Sequence, residues 1–202
     1  MQKYISYVPK GYFEGKIMNE TKREEDAIIL DYLSNGYASD TRPGHLKTSV
    51  AQAIGKNNLN LLELVPRKGI DLQPGEEVYV GDQKRDKIHH VIGKIPIDKL
   101  TATARGELDD TIRDIVRLRE SEFIEFFNKS QPLSIRMHSL ELLPGLGKKH
   151  MQMVVEERRG DPFKGFDDLK SRVKLIPDPE KLVIKRIIKE IEGHEKYCIF
   201  VK

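Results

Sequence analysis

The stretch Leu143-Pro144-Gly145-Leu146-Gly147-Lys148-Lys149 holds the residues best suited to act on another molecule. Two glycines two apart let the backbone turn tightly and let a ligand come close to it. A helix that begins at the second glycine points its unpaired N–H groups into the turn, and its dipole favours negative charge there. Lys148 and Lys149 stand beside those donors. The natural anion for such a site is a nucleic-acid phosphate, held without reading base sequence and in a salt-dependent way.

Other constellations carry less. Gly145 to Lys148 is not a nucleotide-binding P-loop: Leu142 occupies the place of its first glycine, and Lys149 stands where a Ser or Thr is needed. His89 and His90 are adjacent in an expected strand, where neighbours face opposite sides, so they do not line one metal site. Asp109-Asp110 and Asp167-Asp168 open helices, where acids stabilise the N-terminus. A repair glycosylase needs an aspartate downstream of such a turn and a large helical base pocket. Asp161, Asp167 and Asp168 lie downstream, but the unit from residue 132 to 202 is too small for that pocket. No catalytic, metal or cofactor set emerges, and the expectation is a protein that is not an enzyme.

Composition sets outer bounds. The single cysteine, Cys198, excludes a disulfide framework and a cysteine-rich zinc site and fits a reducing cytoplasm. No apolar run approaches the roughly 20 residues needed to cross a bilayer, and Met1 to Lys10 has no signal-peptide core. A soluble cytoplasmic protein with no membrane partner is expected. Net charge is only +3, but residues 132–202 carry 15 Lys and Arg against 11 Asp and Glu, so the positive excess lies with the glycine turn.

The elements that must position the turn follow from periodicity. Residues 1–22 read as a flexible arm. Residues 23–131 begin with short strand candidates: Ala27 to Leu33, Leu59 to Val65, Glu76 to Val80 and His89 to Ile95. Gly and Pro split them at short intervals, which suggests a small barrel or curled sheet. Residues 35–48 form a loop, and Gly81 to Lys87 a charged hairpin loop. Helical rhythm follows over Ile97 to Ala104, Glu107 to Arg119 and Glu122 to Asn128. A boundary is expected at Asn128 to Pro132. Residues 132–193 read as four helices: Ser134 to Leu143 with Ile135 on its apolar side, Lys149 to Arg159, Asp167 to Val173, and one that follows Pro179 and stops at Gly193. Lys196 to Val201, within residues 194–202, reads as a strand that packs back on the N-terminal sheet.

The run Ser139 to Met151 resembles the helix-hairpin-helix motif of DNA- and RNA-binding proteins, matching it at Leu143, Pro144, Gly145, Leu146, Gly147 and Lys148. The resemblance implies that Leu146 is buried between the helices and that the turn amides hold a phosphate. Phe166 to Ile191 looks like a second hairpin unit. Its turn, Lys174 to Pro179, lacks the glycines and reads as a structural partner only.

The chain as a whole resembles an archaeal family called domain of unknown function 655. The likeness rests on Leu61 to Pro66, Gly75 to Gly81, Phe126-Phe127-Asn128, the hairpin and the closing Lys196 to Val201. It implies an α+β fold: an OB-like small β-barrel with added helices, then a four-helix helix-hairpin-helix domain. The family's genes tend to sit near translation and rRNA-modification genes, which implies RNA rather than DNA and a ribosomal connection. On an OB-like barrel, Tyr79, Lys84, Arg85, Lys87 and Arg42, with Tyr37, are the candidate binding edge, combining positive charge with aromatic stacking. A second possibility is an adaptor that docks its hairpins on a ribosomal or transcription protein.

Overall fold

A computed structural model describes residues 23–43 and 46–202; the arm expected over residues 1–22 lies outside them. Five short strands come first: β1 (Asp26–Leu33), β2 (Val50–Gly55), β3 (Leu61–Pro66), β4 (Glu77–Tyr79) and β5 (Ile88–Lys94). They form one antiparallel sheet in the order β4-β1-β2-β3-β5. Strand β2 is not expected from the sequence. Its Ala51, Gln52 and Ala53 have low strand propensity, yet every residue of the strand is buried, because the sheet curls around small side chains.

Bulges produce the curl. Leu30 is an extra residue between Ile29, paired with Ala53, and Asp31, paired with Gln52. Strand β5 carries two more, at His89 and Ile92. Each extra residue bends its strand and raises the local twist. The result is a half-barrel with two apolar faces. Ala27, Ile29, Ala51, Ala53, Leu62, Leu64 and Val78 pack inside the curl. Leu30, Ile54 and Leu61 face the helices.

Helix α1 (Ala102–Leu118) lies on that second face. The sequence predicts two pieces broken near Gly106, but the helix runs through it. Ala104 continues the buried stripe of Leu108, Ile112 and Ile115, and that packing exceeds the cost of about 1 kcal/mol for one glycine. Thr101 caps the helix, its hydroxyl accepting from Ala104 N at 3.0 Å and donating to Asp31 at 2.6 Å. The buried Gln52 amide reaches the same junction, donating to Lys99 O and accepting from Thr101 N.

Helices α2 (Glu120–Lys129), α3 (Lys148–Glu157), α4 (Phe166–Arg172) and α5 (Pro179–Ile191) follow. The apolar core crosses the boundary expected at residues 128–132 and runs from Leu30 through α1 to Ile187. Asn128 pairs with both backbone groups of Phe163, and the Arg158 guanidinium donates to Phe127 O and to Ser130.

Two expected elements are different in kind. Instead of a helix from Ser134, residues Pro132–Ser134 (β6) and Met137–His138 (β7) form a small hairpin, followed by a 3-10 turn at Ser139–Leu142. Ile135, expected on a buried helix face, is fully exposed at the hairpin tip. Lys196 to Val201, expected as a strand, pairs with no strand among the described residues. The amides of Ile199, Phe200 and Val201 all donate to the Glu190 carboxylate at 2.9 Å, which takes the place of a strand partner. Lys202 N then donates to Asn58 O beside the sheet.

Candidate nucleic-acid interface

The glycine turn is built from its first residue upward. His138 caps the 3-10 turn, its Nδ1 accepting from Leu140 N at 3.1 Å while Glu141 accepts from His138 N at 2.8 Å. Burial, and the nearby Arg158 charge, hold the His138 imidazole below its ordinary pKa, so the acceptor form persists. Leu143 ends the 3-10 turn, and Leu146 N closes the next turn onto Leu143 O at 3.0 Å. Leu143 and Leu146 are both buried, as the helix-hairpin-helix resemblance implied for Leu146.

The two glycines have different reasons to be glycine. Gly145 has φ +98°, a left-handed conformation that disfavours any L side chain. Gly147 has an ordinary extended backbone and is the N-cap of α3. A Cβ added there would meet nothing within 4 Å. No side chain caps α3 at Gly147, so the amides of Lys148, Lys149 and His150, the first three of the helix, have no intrahelical acceptor. Lys148 and Lys149 are exposed. Their charges oppose the helix dipole, a cost that a bound anion would reverse.

A groove of about 490 Å³ runs beside the turn, lined by Glu141 to Gly147 and by Arg186, Lys189 and Glu195. Its two carboxylates are already engaged. Glu141 closes the His138 cap, and Glu195 pairs with Arg186 at 2.9 Å. Arg186 is itself buried, pairs with Glu190 at 2.7 Å, and donates to Leu142 O and Tyr197 O. This arginine ties the base of the turn to α5 and the C-terminal segment. Sequence reasoning misses it, although a charge inside the apolar stripe Leu182, Val183, Ile187 is a legible sign of a buried ion pair.

The connection between α4 and α5 repeats three positions of the first turn. Val173 is buried like Leu143, Leu175 has φ +57° where Gly145 has +98°, and Ile176 is buried like Leu146. Ile176 N reaches Val173 O at 3.4 Å, where Leu146 N reaches Leu143 O at 3.0 Å. Its helix start offers little to an anion. Pro177 and Pro179 have no N–H, Asp178 accepts from Lys181 N, and Glu180 adds an acid in the first turn.

The candidates on the sheet are dispersed. Arg42 lies in the β1–β2 connection and is clamped to Asp40, whose carboxyl it holds at a pKa of about 2. Tyr79 lies on the edge strand β4, its hydroxyl accepting from Gln83 N at 3.2 Å. Arg85 braces its own loop by donating to Gly81 O at 2.7 Å, and Lys87 pairs with Glu76. Lys84 is exposed. The Tyr37 hydroxyl accepts from buried Gln52 at 3.0 Å. No hydrogen bond or ion pair among the described residues joins these groups to one another across the sheet or to the glycine turn.

His89 and His90 correct an expectation. Because His89 is a bulge residue, the strict alternation of faces fails, and the two exposed rings meet with Nδ1 atoms 3.0 Å apart. Among the described residues no group of three or more His, Cys, Asp or Glu is placed to hold a metal.

Three comparisons cover most of the chain. A family model described as protein of unknown function (DUF655) matches residues 23–202. The uncharacterized protein MJ0038 of Methanocaldococcus jannaschii is 38% identical over 183 residues, spanning 90% of this chain and 81% of the relative. The crystal structure of Af1531 from Archaeoglobus fulgidus, of the same family, is similar with a TM-score of 0.82 and 39% identity, over 89% of this chain and all of that one.

Proposed function

We propose, from the premise that this chain belongs to the DUF655 family, that it is a non-enzymatic nucleic-acid-binding protein that clamps backbone phosphate at the Gly145–Lys149 turn. One observation carries the reading. A tight turn with a left-handed glycine leads into an α3 whose first amides are uncapped, with Lys148 and Lys149 exposed beside them. Turn amides and dipole would grip one phosphate and fix position rather than sequence. The buried Leu143 and Leu146 hold the shape of the turn and leave the contact itself to the backbone and the lysines.

We read the curled sheet as an OB-like half-barrel. Five short strands, with β4 returning to β1 and β5 to β3, support this. The antiparallel β3–β5 pair and the absence of a β4–β5 pairing among the described residues are its own features. Arg42, Lys84, Arg85, Lys87 and Tyr79 would then be secondary contacts. RNA and a link to translation rest on the family resemblance, since a phosphate clamp reads neither. An adaptor role draws on other residues, the exposed Leu133 and Ile135 of the β6–β7 hairpin.

Filter binding of RNA and duplex DNA at two salt concentrations tests the clamp, using Gly147→Val with Lys148→Glu. Because a Cβ at residue 147 meets open space, the fold is expected to survive, which an unchanged melting temperature would verify. Affinity should drop and its salt dependence should flatten. Unchanged affinity in a folded variant would refute the clamp.

A further inference from the structure

We infer that a row of lysines on α5, Lys181, Lys185 and Lys189, continues the phosphate path away from the glycine turn and binds successive phosphates of the same nucleic-acid strand. The inference rests on reading the turn as a phosphate clamp. The three lysines are spaced four apart and all are exposed. Residues four apart on a helix are neighbours about 5–6 Å apart, and eight residues rise about 12 Å. The row therefore offers three cations in a line along two turns of helix.

Its placement connects it to the turn. Lys189 lines the groove together with Gly145 and Gly147. A Cβ on Gly145 would lie 3.6 Å from Leu182 Cδ2, so the turn packs against the helix that carries the row.

None of the three ammonium groups has a carboxylate within ion-pair distance among the described residues. The acids near them on α5 are engaged elsewhere: Glu180 holds Arg117, and Glu190 holds Arg186. Glu192 is exposed beyond Lys189, past the end of the row. Like charges at this spacing weaken a helix. On other helices Arg113 pairs with Asp110, Arg119 with Glu122 and Lys129 with Glu125. A polyanion with regularly spaced charges is the partner that relieves the row's repulsion.

The test compares wild type, the turn variant Gly147→Val with Lys148→Glu, a triple Lys→Ala variant at 181, 185 and 189, and a triple Lys→Arg variant. Each is titrated with RNA and duplex DNA across a salt series. The triple alanine variant should lower the slope of log affinity against log salt by about 2 for a single strand and about 3 for a duplex, while the arginine variant keeps it. If the turn variant binds less well but the alanine variant matches wild type, the row is refuted and the clamp stands. The row is also refuted if the alanine variant loses affinity with an unchanged slope, or if poly-glutamate competes as well as nucleic acid at equal charge. If wild type binds no nucleic acid, both readings fall.

Discussion

Leu175→Gly should stabilise the protein. Leu175 has φ +57° and is 92% exposed. The left-handed conformation costs an L residue about 1–2 kcal/mol. An exposed side chain gives back almost no burial. Glycine removes the strain but adds about 0.5–1 kcal/mol of chain entropy to lose on folding, so the net gain is about 0.5–1 kcal/mol. In a chain of this size that raises Tm by about 1–4 °C, readable by calorimetry and by urea denaturation. Leu175→Ala is the control, since it removes the exposed apolar surface while keeping the strained backbone, and it should gain little. Leu59 shares the conformation, φ +60°, but is buried. There the lost packing, about 2–5 kcal/mol for a buried leucine, exceeds the relief, and Leu59→Gly should destabilise. Equal gains from glycine and alanine at residue 175, or a loss from both, would refute the strain argument.

His138 and the Arg186–Glu190 pair give two further predictions. The folded-state pKa of His138 is depressed, so the unfolded chain takes up the proton at higher pH than the folded one. Its stabilising contribution is complete above the ordinary imidazole pKa and is lost as pH falls through the depressed value. His138→Asn keeps a capping acceptor without the titration, so its stability should fall less than wild type between about pH 7 and pH 5; parallel denaturation curves would overturn this. Glu190→Ala removes one member of a buried ion pair and the acceptor of three tail amides. It should cost about 3–5 kcal/mol in urea denaturation and speed trypsin cleavage at Lys196; a loss below about 1 kcal/mol would show that the pair contributes little.

Much of this architecture was legible because periodicity and packing agreed. The stripe Leu108, Ile112, Ile115, Val116 marked α1, and Leu182, Val183 and Ile187 marked α5, since one face of each must be buried. What escaped depended on contacts distant in sequence. Strand β2 has Ala51, Gln52 and Ala53 at its centre, small and polar residues that a tightly curled sheet can bury. The apolar spacing of Ile135, Leu140, Leu142 and Leu143 read as a helix face, but Ile135 is fully exposed while Leu140 and Leu143 are buried. The end of the chain alternates like a strand, yet its amides meet a carboxylate from α5. The bulge that brings His89 against His90 depends on the pairing register with β3, which no local pattern states.

The turn itself was the most readable part of the candidate site, and its near copy explains why. Both turns place a residue in the left-handed region between two buried apolar anchors, so the hairpin shape is demanded by packing in each case. Only the first turn satisfies that demand with glycine and leaves the following amides open. The second tolerates strain at Leu175 and closes its helix start with Pro177, Asp178 and Pro179. Shape alone therefore does not account for Gly147, whose backbone any residue could adopt and whose Cβ would meet open space. Room for a ligand would account for it. One phosphate at one turn is a weak hold, and the exposed lysine row of α5, on the helix that the turn packs against, is where the remaining affinity would come from.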